Sequence, residues 1–140
     1  MPAINTIKGL APGKIVYHVY GSSLIKNKKR GFDNPDEHVS KLILTSFPKF
    51  WHRSTDSRCD SLFFDVIRFG YLGEYETCHS VRDCAIGEKI RKYNLNRIFA
   101  TKEEALEFVS ECLIGKFFDS TDQEVYDRDF GYNDDDYDCL

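Results

Sequence analysis

The stretch Asn96–Gly115, NRIFATKEEALEFVSECLIG, constrains the fold more than any other part of the chain. Thr101 followed three residues later by Glu104 is a capping box. The threonine oxygen accepts from the Glu104 amide while the carboxylate reaches back to the Thr101 amide. Glu103 and Glu104 stand in the first turn, where the helix dipole favours negative charge. Ala105, Phe108, Val109, Cys112 and Leu113 recur at spacings of three and four, with Leu106 at the margin, and Gly115 supplies the stop. Ile98-Phe99-Ala100 reads as a short strand leading straight into this helix. The unit predicts a helix laid over a sheet that the rest of the chain must build.

A chain of 140 residues, 41% hydrophobic and 14% aromatic, suffices for one domain with its own core. The N-terminus lacks a charged segment followed by an apolar run, so no secretory signal is expected. No apolar stretch approaches the ~20 residues of a membrane span, and a cytoplasmic location is the expectation. Five cysteines, at 59, 78, 84, 112 and 139, are odd in number and widely spread. They read as free thiols in a reducing compartment. The net charge of −4 hides an asymmetry. Residues 119–140 hold nine acidic residues and one basic residue, a charge of −8, whereas residues 1–118 carry +4.

Residues 1–13, with two prolines and two glycines, read as a loose lead-in. Lys14–Ile25 alternates Ile15, Tyr17 and Val19 with Val16, His18 and Tyr20, a strand apolar on both faces and so central, with Gly21 as a bulge or bend. Lys26–Glu37 is a loop by composition. Val39–Trp51 is a second strand in which Pro48 forces either an edge position or an end near Phe47. Ser61–Gly70 and Glu74–Ala85 read as an antiparallel hairpin about Gly70–Gly73, its outer strand exposed. The expected fold is α+β, an antiparallel meander of four to five strands packed against one C-terminal helix. The domain spans residues 1–118, and 119–140 form an acidic, flexible tail whose removal leaves the fold intact.

Chemistry is sparse. His52, Cys59, Cys78, His79 and Cys84 invite a zinc reading, but no tight ligand pair exists, and Cys78 and His79 must point to opposite faces of a strand. No stoichiometric zinc and no cofactor are expected. Cys59 beside Arg58 lies in no nucleophile signature, and no catalytic residue is assigned. Walker and EF-hand patterns are absent. What remains is interaction chemistry. Lys26, Lys28, Lys29 and Arg30 form a basic loop, Trp51 stands among basic residues, and Tyr132 and Tyr137 flank Asp134, Asp135 and Asp136 in the tail. An acidic segment with interleaved aromatics has something to bury on a basic partner, or on the 26–30 loop itself. The basic loop and Trp51 alternatively suit a single strand of nucleic acid, although a pI near 5.5 disfavours it.

The run Arg97–Phe108, RIFATKEEALEF, resembles the strand-then-helix ending of small accessory proteins of bacteriophages. That resemblance implies a virus-encoded protein acting in the bacterial cytoplasm on a host target. The expected function is therefore a non-enzymatic interaction protein that modulates or inhibits a host protein. A single-stranded nucleic-acid module is the alternative, and a small enzyme or metal protein the third reading.

The cap gives the first prediction. Thr101→Ala should lower the unfolding free energy by about 1 kcal/mol in urea titration; an unchanged midpoint would mean that the helix does not begin at Thr101.

Overall fold

The computed structural model describes residues 3–4, 6–27, 35–50, 62–70, 73–81, 84, 86 and 94–131. Strand β1 (Ile15–Tyr20) runs directly into helix α1 (Gly21–Asn27); β2 (Ser40–Leu44) and the short β3 (Lys49–Phe50) follow. The long strands β4 (Leu62–Gly70) and β5 (Gly73–Ser80) precede β6 (Asn96–Phe99), α2 (Lys102–Ile114) and α3 (Ser120–Tyr126). All pairings are antiparallel, in the lateral order β5-β4-β2-β1-β6, with β3 continuing the β2 ribbon along β4. The α+β expectation and the central place of β1 are met. The last strand departs from a plain meander by returning to the far side of β1.

The hairpin forms with Gly70 opposite Gly73, but its outer strand ends at Ser80, short of the expected Ala85, with Val81 and Cys84 in turns. The second strand breaks at the expected place. Between Leu44↔Val66 and Lys49↔Phe63 the β2–β3 ribbon uses two more residues than β4 does. This is a bulge containing Pro48, and bulges bend the strand that carries them. Its neighbour Phe47 stands 62% exposed.

Several expectations need correction. Residues 21–25 do not continue a strand but open α1. The turn is tight because a side chain at Gly21 would collide with the Leu95 carbonyl oxygen, so the glycine serves a close backbone approach. The lead-in is not loose throughout: Ala3 and Leu10 are buried, and the Ile4 amide donates to the Ile98 carbonyl at 2.8 Å.

A further correction concerns the boundary at 118. Residues 119–131 are packed structure. The Asp119 carboxylate caps α3 by accepting from the Thr121 and Asp122 amides. Val125 is 1% exposed. A row of rings, Phe99–Phe108–Phe117–Tyr126–Phe130, joins this segment to α2 and the sheet at centroid spacings of 5.3–5.8 Å. Acidic composition concealed two inward-facing positions, Asp122 and Val125. Residues 132–140 lie outside the described residues.

Helix α2 follows the sequence reading, with Ala105, Phe108, Val109 and Cys112 inward. Leu113 instead faces outward, at 37% exposure. The Glu104 amide donates to the Thr101 oxygen as expected, but the Glu104 carboxylate accepts from the Thr101 hydroxyl, not from its amide. Gly115 ends the helix at φ +83°, with its Cβ position taken by the Tyr126 ring.

The sheet carries apolar packing on both faces. Val19 and Phe99 meet α1, α2 and α3 on one side. On the other, Val16, Leu42, Leu44, Phe64, Val66 and Ile98 pack with Leu10, Val81, Cys84 and Ile86. Arg97, fully buried on the helix side, sends Nη2 to Asp122 Oδ1 at 2.7 Å and Nη1 to the Asn94 carbonyl at 2.6 Å.

Removing one partner of such a buried pair leaves an uncompensated charge and costs about 3–5 kcal/mol. Asp122→Ala should therefore destabilise by that order in urea titration, and truncation after Phe118 should prevent stable folding. A truncated protein with the wild-type midpoint would show that α3 contributes nothing to the core.

Candidate functional site

Alternation along the strands sets one face of the sheet. Val16, His18 and Tyr20 share a face of β1 with Ser40 and Leu42 of β2, Phe64, Val66 and Arg68 of β4, and Thr77 and His79 of β5. Polar residues among these apolar ones are the anomaly. His18 is 1% exposed in the middle of the sheet.

By register His18 is level with Gly70, whereas His79 stands opposite Phe64, six residues along β4. In a flat sheet that offset alone is roughly 20 Å. Their rings are in fact 4.9 Å apart. The sheet must coil about this face, as twist and the Pro48 bulge allow. The site is made by that coiling.

Arg68 lies between the two histidines. Its Nη1 is 3.4 Å from His18 Nδ1 and 3.4 Å from His79 Nε2, and its Nη2 donates to Ser40 Oγ at 2.8 Å. The guanidinium also sits 5.2 Å from the centre of the Tyr20 ring, which packs edge-on against His18. A guanidinium only donates, so both imidazoles must present a lone pair to it and stay neutral. Their proton affinities agree. Burial first, then His79 and Arg68, hold His18 well below its ordinary 6.5. Burial and then the Arg68 charge lower His79 to about 4.

Cys84 completes the group. Its amide donates to the Ser80 carbonyl at 3.2 Å, and the thiol is buried. One donor atom from each of His18, His79 and Cys84 lies within 4.8 Å of the other two. Arg68, Ser40 and Tyr20 also line a cleft of about 200 Å³ with Ser23, Asn27, Glu37 and His38.

The residues favoured from sequence lie elsewhere. Lys26 is exposed in the last turn of α1. It is near enough to Asp129 to assist Arg128, whose hydrogen bond is the main cause, in lowering that carboxyl's pKa. Lys28, Lys29, Arg30, Trp51, Tyr132, Asp134, Asp135, Asp136 and Tyr137 lie outside the described residues, as do His52 and Cys59. Cys78 and His79 do diverge: Cys78 borders a separate open groove with Asp65 and Glu76. Sequence reasoning missed His18, Ser40 and Arg68 as a group. The available signal was Arg68 at the parity of Phe64 and Val66, a charge on the apolar face of an inner strand.

A family model described as Phage g100-like protein matches residues 4–112, a span that includes every residue of this site and excludes Asp122. No curated protein and no solved structure matches the chain.

The neutral histidines set a pH dependence. In protein dialysed against chelator, stability should be level above pH 6.5 and fall as pH drops below it. There the unfolded chain takes up protons at ordinary histidines while the folded chain does not. For His79 the loss between pH 6.5 and about 4 is roughly 3 kcal/mol. His79→Gln should remove its share of the slope; identical slopes in the two proteins would mean that His79 titrates ordinarily when folded.

Proposed function

Because the chain belongs to the Phage g100-like protein family, we propose that it is a non-enzymatic accessory protein that binds a host protein. The cleft at Arg68 is its contact for a carboxylate on that partner. One observation carries the reading. Among the described residues, the polar partners of Arg68 are two neutral imidazoles and one hydroxyl, with no acid. Three of the five guanidinium N–H donors are so engaged, and two remain. A partly buried positive charge beside neutral groups gains most from an arriving anion, since charge-assisted bonds are the stronger ones.

The non-enzymatic part rests on access. Cys84 is fully buried and His18 nearly so, and neither the thiol nor that imidazole lines the cleft. A protein partner is favoured over nucleic acid because Glu37 borders the cleft and the chain is net negative. A phosphate backbone meets repulsion there, whereas a single carboxylate reaches one guanidinium.

Tagged full-length protein should retain a host protein from bacterial lysate, and Arg68→Gln should lose it, while the exposed-site control Lys8→Gln retains it. Retention should weaken as salt rises. Equal recovery by Arg68→Gln would remove the cleft as the contact. Retention abolished by nuclease would put nucleic acid in the partner's place.

A further inference from the structure

We propose that His18, His79 and Cys84 form a binding site for a zinc-class divalent transition ion, with Arg68 occupying the space between the histidines until the ion displaces it. The donor set is two imidazoles and a thiol, which suits zinc and related borderline ions and not magnesium or calcium. The three donor atoms lie within 4.8 Å of one another. A tetrahedral zinc with bonds of 2.0–2.3 Å needs its ligands roughly 3.4 Å apart. Side-chain rotation supplies the difference.

The free protein already treats this point as a place for a cation. The Arg68 nitrogen takes a lone pair from each imidazole at 3.4 Å. Those lone pairs serve a guanidinium or a metal ion, not both at once. Arg68 has somewhere to go, because the adjoining cleft offers the Glu37 carboxylate together with Ser23 and Asn27. Binding releases the thiol proton, so affinity falls with falling pH. Local spacing argued against a metal because it compared neighbours in sequence. Here the ligands come from β1, β5 and the turn after β5, and their nearness is a product of the coiled sheet.

The test uses the full chain and does not require the host partner, so it stands or falls apart from the reading above. After incubation with zinc and gel filtration at pH 7.5, wild-type protein should retain one equivalent by elemental analysis. Cobalt in place of zinc should give the intense visible and near-ultraviolet absorption of a tetrahedral thiolate complex. Cys84→Ser should abolish the thiolate band and His79→Gln the retained metal, while Cys78→Ser, on the opposite face, changes neither. Arg68→Gln should bind tighter by at least about tenfold, since one positive charge near the ion is gone. Circular dichroism checks that each variant is folded. The His79 variant, at a partly buried position, and the wild-type cobalt spectrum keep the test decisive should Cys84→Ser unfold. Failure of both wild type and Arg68→Gln to retain metal overturns the site. So does retention that survives both Cys84→Ser and His79→Gln. Equal affinity in Arg68→Gln overturns the displacement.

Discussion

The buried pair of Arg97 and Asp122 is the interaction on which the rest of the architecture depends. Arg97 stands on the helix-covered face of β6 with no exposure, and Asp122 reaches it from α3. A guanidinium taken out of water is costly unless its donors are used, and here two backbone carbonyls and one carboxylate take them. The pair fixes where α3 sits. That position lets Tyr126 close over Gly115 and lets the ring row from Phe99 to Phe130 form. The acidic end of the chain is thereby divided. Residues through 131 belong to the core because one of their carboxylates is needed inside it.

With the helix side closed in this way, β1 has to serve two layers at once. Val19 faces the helices, while Val16 and His18 face the second cluster. A strand apolar on both sides is what a sheet with packing on both sides requires. Among the described residues no long helix lies over the second layer. It is closed by Leu10 and by Val81, Cys84 and Ile86, and by the curvature of the sheet itself. Coiling helps to close that layer, and it also carries His79 over to His18.

The sequence made the local devices legible and left the non-local ones hidden. The helix cap, the Gly115 stop, the hairpin and the Pro48 break all follow from residues a few positions apart, where dihedral preference and alternation act directly. The α1 turn was not legible, because Gly21 is selected by contact with Leu95, distant in sequence. Nor was α3, since composition reports average charge and not which carboxylate faces inward. The site was the least legible part. Its parity was readable, as Arg68 shares a face with Phe64 and Val66. Its convergence depends on sheet curvature, which no spacing rule contains, so spacing along the chain could not bring His79 to His18.

The two sheet-face arginines make the functional argument sharper than either does alone. Both reach into the molecule from inner or covered strands, and both order several partners. Arg97 has its carboxylate and is fully enclosed, which is what a structural guanidinium requires. Arg68 has only neutral acceptors among the described residues, borders a cleft and sits against two histidines that its own charge helps to keep unprotonated. A purely structural role would be met more cheaply by an apolar side chain, as in the neighbouring Phe64 and Val66 positions. The arrangement makes sense if a charge with no acid partner among the described residues has a use. It can hold the imidazole lone pairs in place for an ion, or meet an anion from outside. The two uses are linked, because an ion that takes the histidines frees the guanidinium toward the cleft.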